Sequence, residues 1–297
     1  MTDTTASLRR KINSAGDLQA VVRTMKAMAA SSIGQYEQAV RALGDYDDTV
    51  KLGLGVCFRG SGSTAGIPGE PRPAEAGAIA AVVFGSDQGL VGQFNDVVAE
   101  RAIQTLKTLA GHVEVWAVGE RVHARLADEG LPPLGLFSVP SSVQAVTPLV
   151  GQILIETETR RSQNRVHELH LFYNRPTSAA VYAPVHQRLL PLDERWRLEL
   201  EKQPWPSKNL PEILSGGAAT LRALVREYLF VSLFRACAES LASENASRLA
   251  AMQRAEKNIE ELLEDLSGTF HRLRQSGIDA ELFDVIAGFE SLSAVEN

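Results

Sequence analysis

The spacing of apolar side chains divides the chain into three parts. From Leu8, apolar residues recur at steps of three and four through Ile12, Ala15, Leu18, Val22, Met25, Ala29, Ile33, Tyr36, Val40 and Leu43. That narrow stripe is the mark of a coiled-coil helix and predicts one helix over 4–52. A second stripe begins at Leu221, Leu224, Val225 and Tyr228. It runs through Leu249, Met252, Ile259, Leu262, Leu263, Leu266, Phe270 and Leu273 to Leu282 and Ile286, predicting a C-terminal helix over 212–289. Between the stripes the period changes. Ala78–Phe84 and Val113–Val118 are short apolar runs suited to buried parallel strands, and Glu168–Tyr173 and Ser178–Gln187 read as later strands. Helical patterns over 95–109, 120–129 and 144–160 separate them, so 78–190 is predicted as a small, Rossmann-like α/β domain with a parallel sheet. Residues 53–77, with Gly53, Gly55, Gly60, Gly62 and Gly66, read as a linker, and 191–211 as a connecting loop.

Proline placement and length turn this pattern into a geometric argument. All thirteen prolines fall between Pro68 and Pro211. Proline costs about 3 kcal/mol inside a helix, so both ends are kept compatible with long helices. A C-terminal helix of roughly 70 to 80 residues reaches about 105–120 Å. A compact globule of this chain length is only about 50 Å across. The helix is therefore expected to protrude and to pair with the shorter N-terminal helix as an antiparallel coiled coil. Its apolar far end is left for other proteins to enclose.

Composition removes several function classes. A net charge of -6 without lysine or arginine blocks argues against nucleic acid as the main partner. No run approaches the roughly 20 apolar residues that span a bilayer, and no secretory signal is visible. Cys57 and Cys237 cannot build a disulfide framework or a structural zinc site, which suits a reducing compartment. The loop Gly85–Asn95 (GSDQGLVGQFN) follows a strand and precedes a helix, where dinucleotide folds cradle phosphate. It carries neither GxGxxG nor GxxxxGK[ST], so it reads as a tight turn. The six histidines form no metal-ligand set, and His167 and His170 would face opposite sides of a strand. Glu256, Glu260, Glu261, Glu264 and Asp265 read as the solvated face of a helix. No catalytic constellation emerges, and no cofactor is expected.

Three segments, in order, resemble the gamma-subunit family of F-type ATP synthases. They are LRRKINSAGDLQAVVRTMKAMAAS (Leu8 to Ser31), GSDQGLVGQFN (Gly85 to Asn95) and the long run from Glu239 to Gly288. The last is the most specific, with Ala242, Ser243, Glu244, Arg248, Ala251, Met252, Asn258, Arg274, Gln275, Ile278 and Glu281 among its matching positions. The resemblance implies a non-catalytic rotor shaft whose tip sits inside a ring of alpha and beta subunits. Its base would contact the epsilon subunit and the membrane c-ring, at the cytoplasmic face of a bacterial membrane. It further implies that Arg274 and Gln275 meet a catch loop of beta, with Asp279 standing where relatives have threonine. By the same resemblance Arg23, Met25 and Lys26 lie where the shaft meets an acidic lever of beta, and Lys26 would attract that lever. Trp205 and Ser207 resemble the foot near the c-ring and epsilon. Two other readings remain open at this point: a nucleotide-binding α/β enzyme with coiled-coil oligomerisation arms, and a static coiled-coil scaffold.

Overall fold

The proline-free ends are helical in the computed structural model, which describes residues 4–60, 78–163, 166–178, 181–209, 211–213 and 217–293. The order of elements is α1 (Thr5–Ala42), α2 (Gly44–Gly60), β1 (Ala78–Phe84), α3 (Phe94–Leu106), β2 (Val113–Val118), α4 (Glu120–Asp128), β3 (Gly135–Phe137), α5 (Val143–Ser162), β4 (Val166–Arg175), β5 (Ala183–Leu190), α6 (Glu194–Lys202) and α7 (Gly217–Ser293). Contacts divide the chain into two units, Met1–Met28 with Leu249–Asn297, and Ala29–Arg248. Both α1 and α7 contribute to each unit.

In the first unit α1 and α7 run antiparallel. Gln19 bonds Glu260 while Arg23 bonds Glu256, so the partner's number falls as the other rises. Leu8, Ala15 and Val22 are buried at a spacing of seven, with Ile12, Gln19 and Met25 half-buried between them. Facing them, Met252 is buried and Ile259, Leu263, Leu266 and Phe270 are half-buried. This is the alternation of threes and fours that a two-helix seam requires. Three predicted seam positions lie outside it: Leu18 is 58% exposed, Leu262 48% and Leu273 37%. At the first of these positions the polar Gln19, one residue on, takes the seam instead.

The second unit is built on a five-stranded sheet of order β3-β2-β1-β4-β5. The first four strands are parallel, but β5 pairs antiparallel to β4, so the sheet is mixed where a parallel one was expected. Strand β1 is buried at all seven positions. Ala78, Ala80, Val82 and Phe84 join the core under α2, α5, α6 and α7, while Ile79, Ala81 and Val83 join the core under α3 and α4. Burial on both faces explains why the strand reads as an unbroken apolar run.

Several boundaries differ from the sequence reading. The single helix expected over 4–52 is two, parted at Leu43, with α2 continuing to Gly60 through the first eight residues of the expected linker. Its remaining residues, 61–77, lie outside the described ones. Within α2, Gly53 and Gly55 serve close packing. A Cβ on Gly55 would stand 2.5 Å from the Leu200 carbonyl oxygen, and one on Gly53 would stand 3.1 Å from Leu224. The connecting loop expected over 191–211 contains α6, whose N-terminus is capped by the Asp193 carboxylate accepting from the Trp196 N–H at 3.1 Å. Strand β5 begins at Ala183 rather than Ser178, and β3, three residues at the sheet edge, went unpredicted.

Candidate interaction surfaces on the helical arms

The far end of α7 outruns its partner helix. Pairing of Gln19 with Glu260 and Arg23 with Glu256 carries Thr5, the first residue of α1, to about position 274 of α7. Every described side chain from His271 to Ala287 is exposed. At 3.6 residues per turn, Arg274, Gln275, Ile278, Asp279, Leu282, Val285 and Ile286 fall within an arc of roughly 140°. Leu282 is 58% and Val285 70% exposed. One face thus mixes bare apolar surface with the polar trio that sequence singled out. Within that trio the Gln275 amide donates to Asp279 Oδ1 at 3.1 Å, one helical turn on. Arg274 forms no ion pair among the described residues.

Within the first unit, the cations of the group expected to meet a lever pair with α7. Glu256 Oε1 accepts from Arg23 Nε at 2.9 Å, and its other oxygen pairs with Lys26. The bonds from Lys26 and then Arg23 hold the Glu256 carboxyl below its usual range. Lys26 therefore already has an anion within its own unit, and Met25 between the two cations is half-buried. Sequence reasoning missed an outer strip beside them. Leu18, Val21, Met25 and Met28 follow i, i+3, i+7, i+10 on one face of α1, and Val21 is 56% and Met28 66% exposed. A second apolar phase, offset from the main stripe, is the signal that marks it.

The central motif and the start of the C-terminal one meet inside the second unit. Ser86 and Asn95 bond each other, the Ser86 N–H donating to Asn95 Oδ1 at 3.0 Å and the Asn95 amide to Ser86 Oγ at 2.9 Å. Asp87 accepts from the Glu120 N–H at 3.0 Å and the Val139 N–H at 2.9 Å. The Asp87 carboxylate therefore caps the N-terminus of α4 and ties the loop after β1 to it. Gly119 at φ 112° lies against Ser86 so closely that a Cβ would stand 2.7 Å from its carbonyl carbon. The loop is a close-packed turn, as the missing phosphate-binding motifs led us to expect. The turn docks on α7. Ser247 Oγ donates to the Val91 carbonyl at 2.5 Å and Ser243 Oγ to the Asn174 carbonyl at 3.0 Å. The Asn174 amide reaches the Phe94 carbonyl at 2.9 Å. Beside them burial raises the Glu244 carboxyl, with Arg248 opposing that shift.

Trp205 and Ser207 lie in the loop after α6, where the indole N–H donates to Ser207 Oγ at 3.2 Å. The structure brings these two together and gathers the two arm groups in the first unit. Sequence also missed a histidine chain: His170, which is buried, bonds His186 through Nδ1 at 2.8 Å and Glu168 through Nε2 at 2.8 Å. Burial, then the neighbouring His170, Arg101 and Arg188, push His186 down to about 4. Antiparallel pairing of β4 and β5 creates that contact, so strand alternation alone did not reveal it. Among the described residues no cluster of three histidine, cysteine or acidic side chains is placed to hold a metal, and no helix is long and apolar enough to cross a membrane.

A family model described as ATP synthase matches residues 4–292. The ATP synthase gamma chain of Salinibacter ruber is 28% identical over 302 residues, which cover 96% of this chain and 97% of that one. The ATP synthase gamma chain of Nocardioides sp. is 27% identical over 297 residues, covering 96% and 95%. Among solved structures, a chain of the Euglena gracilis mitochondrial ATP synthase rotor shares the fold with a TM-score of 0.60 at 15% identity, covering 92% of this chain and 98% of that one. A chain from the OSCP/F1/c-ring assembly of the same organism gives 0.65 at 17% identity, covering 99% and 96%.

Proposed function

This chain belongs to the ATP synthase family, and from that premise we infer that it is the central rotor shaft, the gamma subunit, of a membrane-attached F-type synthase. The observation that carries the reading is the solitary end of α7, where exposed apolar side chains share one face with Arg274 and Gln275. Two kinds of contact suit a turning part. Apolar contact is non-directional, so an encircling sleeve holds the tip without fixing its angle. Hydrogen bonds to a guanidinium and an amide are directional, so they hold particular angles and let go at others. A shaft presenting its polar groups over only part of its circumference offers each surrounding subunit a different face in turn. The result is a coupling free energy between distant sites, carried by a stiff helical element.

The finer assignments follow from the same reading. Catalysis resides in beta, and this chain makes and breaks no bonds itself. The tip is enclosed by alternating alpha and beta subunits, with Arg274, Gln275 and Asp279 facing beta's catch loop. Arg23, Met25 and Lys26 lie at the lever contact. There Met25, with the neighbouring strip of Leu18, Val21 and Met28, supplies the contact area, because Glu256 already engages both cations. Trp205 and Ser207 belong to the foot, toward epsilon and the c-ring, at the cytoplasmic face of a bacterial membrane. Ion flow turns the c-ring, and the chain passes that rotation on. Co-expression with alpha and beta tests the assignment. A stable complex containing one copy of this chain, with ATPase activity that depends on it, is the expected result; alpha and beta assembling in full without it would reject the assignment.

A further inference from the structure

The second unit contains a half-open cavity of about 370 Å³ lined by α2, β4, β5, α6 and α7. Its walls carry three cations, Lys51, Arg175 and Arg235, against one carboxylate, Asp47. Asp47 is buried, and a single oxygen of it, Oδ2, accepts from both Lys51 Nζ at 2.8 Å and Arg235 at 2.6 Å. Arg175 is balanced separately by Glu239 at 2.7 Å. Two cations on one anion leave an excess of positive charge inside a concave wall. Arg235 Nε is buried and has no hydrogen-bond partner among the described residues. Buried donors of a charged group are costly when left unpaired, so this one calls for an acceptor. Trp196 and Tyr228, their rings 4.7 Å apart, form the apolar side of the same cavity. His186 opens onto it as a neutral imidazole, its proton affinity lowered by burial and by surrounding cationic groups.

We propose that this cavity binds a small phosphate-class oxyanion, held by Arg235 and Lys51 across from Asp47. Five elements of secondary structure line it, an arrangement suited to a small, largely preformed ligand site. The choice of phosphate among oxyanions rests on family membership, since ATP synthesis consumes inorganic phosphate; the cavity and its charge do not depend on that reading. The test is made on the full chain alone, so its outcome is independent of assembly into a rotor.

Isothermal titration with inorganic phosphate, at ionic strength held constant with chloride, should give saturable binding to one site. Arg235→Gln removes a charge-assisted donor and should weaken it about tenfold or more. Asp47→Asn removes the competing anion and should tighten it. These opposite directions separate a binding site from mere loss of structure, which would weaken both. If Arg235→Gln fails to fold, Asp47→Asn decides by itself, because unchanged or weaker binding overturns the proposal. No saturable heat from phosphate in the unaltered chain also overturns it. Glycerol 3-phosphate serves as second probe: binding of that ester without binding of the free ion would reject the free-ion assignment.

Discussion

Replacing Gln275 by alanine separates a partner contact from a structural one. In the chain itself Gln275 makes one exposed bond, to Asp279 at 3.1 Å. Such an i, i+4 pair stabilises a helix by about 0.2–0.5 kcal/mol, and alanine's better helix propensity offsets part of that loss. The net change is within about 0.5 kcal/mol, a shift in Tm of about 2 °C or less for a chain of this size. In the assembled complex the amide is expected to bond a beta loop, and losing that bond costs about 1 kcal/mol wherever the rotor rests on it. That is a severalfold weaker hold at each resting angle. Vesicles bearing the complex should therefore show ATP hydrolysis nearly intact, while ions pumped per ATP fall measurably. Thermal melting of the chain and pumping-to-hydrolysis ratios of the complex are the two readouts. A Tm loss of many degrees that tracks the loss of activity, or an unchanged ratio, would refute the reasoning.

Gly55→Ala pushes a Cβ to 2.5 Å from the Leu200 backbone oxygen, so overpacking should cost about 1–3 kcal/mol in denaturant melts. Gly277→Ala, with nothing within 4 Å, should leave the chain unchanged or up to about 1 kcal/mol more stable. Glu256 is held below its usual range by Lys26 and Arg23, so its contribution is present above the unfolded-state value and lost as pH falls through the folded one. Glu256→Gln should erase that acid-side loss and speed hydrogen exchange over residues 19–26 and 252–260. His186 titrates near 4 in the folded chain against 6.5 in the unfolded one. The unfolded state therefore takes up the proton first, and stability should fall as pH drops from about 6.5 toward 4. Half-exposure reduces the size of that effect, and His186→Gln should flatten the slope.

The helical arms were legible because one apolar period persists over many turns, and β1 and β2 because seven- and six-residue apolar runs have little alternative. Their ends matched Ala78–Phe84 and Val113–Val118. What went unread depends on contacts between segments remote in sequence. The glycines of α2 looked like a linker because Leu200 and Leu224, which need them absent of side chains, lie far along the chain. Helix α6 is only nine residues and mostly polar, and β3 is too short to show any period. The tip residues Arg274, Gln275 and Asp279 could be picked out only through resemblance, since exposed polar positions on a helix carry no periodic signal. The pairing of Lys26 with Glu256 went unread because it depends on the register between two helices, which neither stripe specifies alone.

The central claim is that the tip of α7 turns inside a ring of partner subunits. A cysteine placed by Gly277→Cys has open space around it, while the native Cys57 and Cys237 are buried and poor competitors for oxidation. With a second cysteine in the facing loop of beta, oxidation should stop ATP turnover in the complex, and reduction should restore it. Undiminished turnover with the tether fully formed would contradict rotation of this shaft.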